Sequence, residues 1–541
     1  MEIRRISIIS PQPGILVGGS YHDIMPVFGP LLVGTILARH GYEVKIFEER
    51  LWPMDWDYIL SSDAIGLYVM TCTVRRSMDH SRRIKAHNPA IPIVAGGTHV
   101  SELPEDTLRF VDYVVRKEAD ETLPDLLNAL QQGRDPAGVP GISFKRDGQI
   151  IHTPDRPPVR DIDVIPDMSL IHRFKSDPRW KLWFQGRKVL NVIQASRGCP
   201  FSCSFCYGTR MLGVGYRMRS VESLVDEIKA RIAYSESKKF LFVDNHFVGN
   251  PRFTRQLLVR LKAEGIRFLW CLAFTRIEVA NHEDILDLMV DVGITNLHIG
   301  LESFHDTSLS GYNKRQSRQQ VIDALQTIRQ KGLRISGSFV LGTDNDTLET
   351  TRETVDLALE YGVHNYIGFS IMEFPGVTSP GLVPTNRMII RDYDYGNGTF
   401  VMHFPKNMRP SVLQREMNRG LRRFYVAKVG EDLRQRNLYE IYYKATHLPL
   451  YLSISKYWNE YVSWLEEIEQ GLYDENDHLI EARLPEDGIF PPDMVRAWRP
   501  EVQANVVHLG GRLMPSRPDR VPAGYRESEA LVARPLAETA V

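Results

Sequence analysis

The 541-residue chain sets 66 Lys and Arg against 67 Asp and Glu, a net charge of −1, and is 43% hydrophobic and 25% charged. That balance belongs to a globular protein of roughly three or four domain-sized units, and it leaves no bulk electrostatic case for a nucleic-acid or anionic-membrane partner. Five cysteines, three of them clustered, make no disulfide framework, and neither a signal-like N-terminus nor an 18-residue apolar run occurs, so a cytoplasmic protein without an integral membrane segment is expected.

Residues 6–9 form a short apolar run of β type, followed by a Pro/Gly-rich loop over 11–19. A helix is expected over 30–39, closed by Gly41, then strands over 44–47 and 64–70, a helix over 77–87, a strand over 91–95, another over 112–115 and a helix over 121–130. Strands alternating with helices at this spacing predict an α/β domain over 1–150, Rossmann-like, with a doubly wound parallel sheet. Ligands bind such sheets at the carboxyl ends of the strands. Here those ends carry Thr71-Cys72-Thr73 and Gly96-Gly97-Thr98-His99. Residues 151–188, with Pro154, Pro157, Pro158 and Pro166, read as a linker.

Alternation resumes at Val189. Strands are expected over 189–195, 240–243, 268–274, 296–303, 335–341 and 366–372, with helices over 221–232, 257–264, 285–292, 320–331 and 348–361 between them. Six strands and five helices fit a (β/α)6 partial TIM barrel over 189–400, whose functional groups gather at the carboxyl ends of its strands. Strand alternation puts His298, Gly300 and Glu302 on one face, and Ser336, Ser338, Val340 and Gly342 on one face of a later strand. Turned inward, they would make a partly polar lumen. Cys271, on an apolar strand, and Cys72 read as packing residues. From Pro410 the pattern is helical, with Leu413, Met417, Leu421, Phe424 and Tyr425 on one stripe, and 450–470 is a second helical stretch rich in aromatic residues. A mainly helical C-terminal region is therefore expected over 401–505, either packed as core or closing as a lid, and 506–541 reads as a disordered tail.

The first barrel strand runs into Arg197-Gly-Cys-Pro-Phe-Ser-Cys-Ser-Phe-Cys-Tyr207. Cys199, Cys203 and Cys206 are spaced C-x3-C-x2-C. Three thiolates so close on one turn can ligate three irons of a cubane cluster and leave the fourth open for chemistry. Structural zinc wants four ligands, and no further Cys or His follows before His246. At this point the sequence resembles the radical S-adenosylmethionine (SAM) superfamily, whose motif carries an aromatic residue where Phe205 stands. The N-terminal Thr71-Cys72-Thr73 and Gly96-Gly97 resemble the hydroxyl pair and Gly-Gly of cobalamin-binding domains. Asp244-Asn245 and Val248-Gly249-Asn250 resemble the D-D-N-x-x-G-N segment of the B12-binding subgroup, with Val243 in place of the first Asp.

The resemblance implies an enzyme with a [4Fe-4S] cluster on Cys199, Cys203 and Cys206, SAM on the free iron, and cobalamin in the N-terminal domain. It places Phe205 near the adenine, Glu302 and Ser303 at the SAM ribose or amino acid, the backbone of the Gly337–Gly342 stretch against the adenine, and Asp244 at the cofactor site. Thr71, Thr73, Gly96 and Gly97 would admit the nucleotide tail of cobalamin. No D-x-H-x-x-G occurs, so the histidine that coordinates cobalt from below in many B12 proteins is missing, and His99 reads as a loop residue near the ligand. The implied reaction is reductive cleavage of SAM to a 5′-deoxyadenosyl radical, with electrons from a flavodoxin- or ferredoxin-type donor, and C-methylation of a small-molecule, lipid or tetrapyrrole substrate. Two alternatives share these features: radical cyclisation or rearrangement, as in anaerobic magnesium-protoporphyrin ester cyclases, and a non-catalytic cobalamin-binding protein. The intact cysteine triad weighs against the latter.

Overall fold

A computed structural model of the chain describes residues 2–13, 27–175, 191–213, 215–371, 387–389, 396, 398–434, 458–459, 461–484, 507–509 and 512–514. The N-terminal unit runs β1 (Arg5–Ser10), α1 (Phe28–Arg39), β2 (Glu43–Glu48), α2 (Trp56–Leu60), β3 (Ala64–Tyr68), α3 (Val74–His87), β4 (Ile93–Gly96), α4 (Thr98–Glu102), α5 (Pro104–Thr107), β5 (Tyr113–Val115), α6 (Thr122–Gln131), β6 (Ile142–Arg146) and β7 (Gln149–His152). Its sheet has the order β2-β1-β3-β4-β5-β6-β7. The first five strands are parallel and the last two antiparallel. Apolar residues cover both faces: Ile6, Ile8, Val44 and Ile46 belong to one core cluster, and Ile9, Phe47, Ile65 and Leu67 to another. Coverage on both sides is what a parallel sheet requires.

The hairpin β6–β7 corrects the expected linker boundary at residue 151. Asp147 (φ +49°) and Gly148 (φ +78°) turn the chain with two left-handed residues, the conformation an Asp-Gly hairpin turn demands. The sheet therefore reaches His152, and of the expected linker 151–175 is described, from residue 153 on as irregular backbone with a short turn at Met168–Leu170. Residues 176–190 lie outside the described residues.

The second unit continues with β8 (Asn191–Ile193), β9 (Ser196–Arg197), α7 (Tyr207–Leu212), β10 (Arg217–Met218), α8 (Val221–Ser235), β11 (Lys239–Phe242), α9 (Pro251–Ala263), β12 (Trp270–Thr275), α10 (Glu283–Val292), β13 (Asn296–Glu302), α11 (Asp306–Gly311), α12 (Arg318–Gln330), β14 (Arg334–Leu341), α13 (Leu348–Glu360) and β15 (Asn365–Ser370). Strands β8, β11, β12, β13, β14 and β15 form one parallel six-stranded sheet in sequence order, the strand set of the expected partial barrel. Helix starts are written locally. Ser317 and Gln320 close a capping box on α12, and Asn250 with Pro251 opens α9.

Alternate residues of these strands, among them Phe240, Phe242, Ala273, Leu297, Ile299, Ile335 and Phe339, join the helices in the largest core cluster. Cys271 is wholly buried in that cluster, so it is a packing residue. The opposite face carries Val192, Leu241 and Leu272 with Phe274, and Phe28 at the start of α1 packs against them. His298 lies tilted against Phe274 with ring centroids 4.6 Å apart, and burial pushes it down to about 4, a neutral imidazole. This inner face is apolar on β8, β11 and β12, and polar at His298, Ser336 and Ser338 on β13 and β14.

Beyond β15 the described chain adds α14 (Pro410–Arg434), whose Phe424, Leu421 and Tyr425 pack on the barrel core, and an aromatic cluster of Phe400, Trp458, Tyr461 and Trp464. The expected helical stretch 450–470 is described only at 458–459 and from 461. Of the expected disordered tail, Val507–Leu509 pairs antiparallel with Arg512–Met514, and the remainder lies outside the described residues. No described helix is long and apolar enough to cross a membrane.

Candidate functional site

The cysteine loop leaves β9 through Gly198 (φ +87°), where a Cβ would meet the Gly215 carbonyl oxygen at 2.5 Å. Only glycine fits there. Cys199 is buried and its thiol is pushed up by that burial; Cys203 and Cys206 are half-buried. The Cys206 amide donates to the Cys203 carbonyl (3.1 Å), and the Gly215 amide to the Cys199 carbonyl (3.2 Å). No three His, Cys, Asp or Glu side chains among the described residues close on one ion position. That is compatible with a cubane, whose three protein ligands bind three different irons.

Asp244, at the end of β11, is fully buried and accepts hydrogen bonds from the Ala195 amide (3.2 Å) and the Ser196 hydroxyl. Burial outweighs these bonds and pushes its carboxyl up to about 6. Asp244 thus ties down the base of the cysteine loop. Asn245 packs on α7, its amide 2.8 Å from where a Cβ on Gly208 would stand. Tyr216 fills the space beside Gly249 and donates to the His246 carbonyl (3.1 Å).

The segment after α11 grips the loop's other flank. The Ser204 amide donates to the Tyr312 carbonyl (3.1 Å), and the Asn313 side-chain amide to the Ser202 carbonyl (3.0 Å). Phe205 meets Tyr312 edge-on at 5.4 Å, and Val340 and Ile371 complete an apolar patch beside it. Glu302 sits at a bulge in β13 with φ +64°, and Lys314 donates to its carboxylate at 2.8 Å. A Cβ on Gly300 would stand 2.3 Å from that carboxylate, so Gly300 makes its room. Ser303 accepts from the His305 amide (3.0 Å). Gly342 takes φ +87°. The space its Cβ would take belongs to Leu413 of α14 and to His403, which bonds the Gly342 carbonyl at 2.7 Å. Its missing side chain serves packing of the C-terminal region.

On the N-terminal sheet, Thr73 caps the turn before α3, its hydroxyl accepting from the Met70 amide (2.9 Å), and Thr71 starts that turn. Gly97 (φ +122°) abuts β3: a Cβ there would lie 2.6 Å from the Val69 carbonyl oxygen. A Cβ on Gly96 would meet nothing within 4 Å. Gly97 answers to the backbone, and Gly96 leaves open room at the strand end. His99 is buried and pushed down to about 4 by that burial.

These strand ends meet the cysteine loop directly. Tyr207 donates to the Thr98 carbonyl, and Arg210 to Glu102 (2.9 Å). Arg197, two residues before Cys199, bonds Glu118 (3.0 Å) and Asp120 (2.8 Å), and Arg217 bonds Glu118 (2.9 Å). Although burial opposes it, Arg217 and Arg197 hold the Glu118 carboxyl below its usual range. Gly96, two residues before Thr98, leaves room that a corrinoid could use, and the three thiols on one loop have the donor chemistry of a cluster.

Residues 193–378 match the radical SAM superfamily, and residues 14–127 match the B12 binding domain. The chain is a B12-binding radical SAM enzyme. It is 28% identical over 390 residues to an uncharacterized methyltransferase of Pyrococcus horikoshii, covering 70% of this chain and 82% of that protein. It is 27% identical to the anaerobic magnesium-protoporphyrin IX monomethyl ester cyclase of Rubrivivax gelatinosus, over 56% of this chain and 55% of the cyclase. The fold resembles the radical SAM methyltransferase TsrM of Kitasatospora setae, solved with cobalamin and a [4Fe-4S] cluster bound, with TM-score 0.57, 19% identity, and coverage of 69% of this chain and 76% of that one. Radical SAM and B12-binding domains together imply the cluster, SAM and cobalamin as cofactors, as expected from the cysteine motif and the Gly-Gly strand end.

Sequence reasoning missed Arg276, Lys314, Tyr312, Tyr207 and Arg197. Tyr207 and Arg197 flank the motif and were readable as its border. Lys314 and Arg276 stand on separate loops, and nothing in their spacing announces that they meet.

Proposed function

We propose that this enzyme cleaves SAM reductively and methylates an unactivated carbon of a biosynthetic intermediate. When bound, the cluster and SAM supply a 5′-deoxyadenosyl radical, and cobalamin supplies the methyl group. Cys199, Cys203 and Cys206 would hold the cluster. Phe205, with Tyr312, Val340 and Ile371, offers the apolar patch for an adenine, and the Glu302–Lys314 pair offers a carboxylate and an ammonium for the polar end of SAM. Thr71, Thr73, Gly96 and Gly97 would border the corrinoid, with Gly96 leaving the room.

The observation that carries this reading is the contact of the cysteine loop with the N-terminal strand ends, through Tyr207 to Thr98 and Arg197 to Glu118 and Asp120. Methylation of this kind would need both cofactors within reach of one substrate, and this contact supports that reading. Electrons would come from a flavodoxin- or ferredoxin-type donor. The test is anaerobic reconstitution with cobalamin, reductant and SAM, measuring bound corrinoid and 5′-deoxyadenosine, with Cys203→Ala as control. Corrinoid binding with deoxyadenosine that disappears in the control is the expected result. Deoxyadenosine without corrinoid binding would remove cobalamin from the mechanism. Similarity to the Rubrivivax gelatinosus cyclase favours ring closure as a second reading. Product mass separates them, because methylation adds a CH2 unit and cyclisation does not.

A further inference from the structure

Arg276 follows β12 and is buried at 6% exposure. One end of its guanidinium donates to the Cys203 sulfur at 3.2 Å. The rest is held on every side. Its Nη2 donates to Glu278 (2.8 Å) and to the Lys314 carbonyl (2.8 Å), its Nε to Glu278 (3.1 Å), and its carbon lies 3.9 Å from the centre of the Phe201 ring. Gln316 reaches Glu278 from the other side at 3.5 Å. A planar cation stacked, forked onto a carboxylate and bonded to a carbonyl has little rotamer freedom left. What it presents to Cys203 is a fixed positive charge and a fixed donor.

A cation and a hydrogen bond at a cysteine sulfur stabilise the more negative, reduced state of a cluster, and so raise its reduction potential. We infer that Arg276 is a positioning residue that sets the reduction potential of the cluster through Cys203, and that Glu278 moderates it by partly neutralising the guanidinium. This rests on the reading of Cys203 as a cluster ligand.

The roles predict opposite signs. Arg276→Gln removes the charge and moves the midpoint potential negative; Glu278→Gln leaves the charge uncompensated and moves it positive. A tenfold change in the reduction equilibrium corresponds to about 59 mV for a one-electron couple, and each variant is expected to reach that size. Loosening of the loop alone would move both variants the same way. The measurement is a redox titration of the reconstituted full chain, followed by the spin signal of the reduced cluster, with iron and sulfide content determined for each sample. Arg276→Lys, which keeps the charge without the fork, is expected to fall between wild type and Arg276→Gln, and it carries the test if Arg276→Gln assembles no cluster. Cluster content that survives in Cys203→Ala would overturn the underlying reading. Normal content in the Arg276 and Glu278 variants with an unmoved potential, or shifts of the same sign, would overturn the inference alone.

Discussion

Gly96 and Gly97 are neighbours at the end of β4, yet they meet different surroundings. Gly97 combines φ +122° with a Cβ direction that runs into the Val69 carbonyl at 2.6 Å, and backbone cannot step aside. Gly97→Ala is expected to destabilise the domain by about 2–3 kcal/mol, since a non-glycine residue held at positive φ costs about 1–3 kcal/mol before any clash. Gly96→Ala meets open space and should leave stability unchanged while weakening corrinoid binding, which titration with cobalamin and a urea melt on each variant would separate. Asp244 gives a pH signature. Its carboxyl stands at about 6 against an ordinary 3.8, so between those values the folded chain holds the proton that the unfolded chain has released. Stability from this group falls as pH rises through that window, by about 3 kcal/mol in all. Asp244→Asn does not titrate, so the variant should gain on wild type between pH 4 and pH 7 in urea unfolding of the cluster-free protein. The cysteines were legible at this scale because ligand chemistry is written in their spacing. The job of Asp244 was not, because its strand-end position serves a cofactor contact and a loop anchor equally well.

At the scale of elements, β13 is where the barrel departs from regularity. Its bulge lets Glu302 turn back over Gly300 toward Lys314, at side-chain exposures of 8% and 5%. Removing one partner of such a pair strands the other, which costs about 3–5 kcal/mol. Glu302→Gln and Lys314→Met should each lower stability by that order, and the double variant should cost well below the sum, as thermal unfolding of the cluster-free chain would register. The parallel strands themselves were readable, since continuous apolar runs such as Phe240–Phe242 and Ile299–Leu301 name buried strands. Hairpin β6–β7 was equally readable from Asp147-Gly148, but the prolines that follow drew its second strand into an apparent linker. The bulge was not readable: it is set by the meeting of Glu302 with a lysine twelve residues later, across a helix and a turn.

For the whole molecule, the decisive feature is the seam between the sheets. Arg197, Arg217, Glu118 and Asp120 cross it, with Arg197 exposed by only 5% and the two carboxylates by 8% and 10%. Glu118→Ala leaves two arginines at a buried seam without their shared acceptor. The expected outcome is separate melting of the two units in calorimetry, where wild type melts in one transition, together with faster proteolysis after residue 153. Which two faces would join was not legible, because each carboxylate and each arginine alone reads as an ordinary surface charge. Only the folded structure shows that Arg197, two residues before the first cysteine, is also the bolt of the domain seam.

The antiparallel hairpin and the crossing segment have a shared effect on the N-terminal sheet. β6 and β7 extend it past β5, the last of the parallel strands. At the opposite edge Ile171 bridges to Ile46, and the His172 amide donates to the Ile46 carbonyl at 2.8 Å. Unpaired strand edges are templates for joining another chain. In this protein the residues between the two units close one such edge and a two-residue turn displaces the other, so the sheet that is to receive a large planar cofactor is guarded against receiving a stray strand instead.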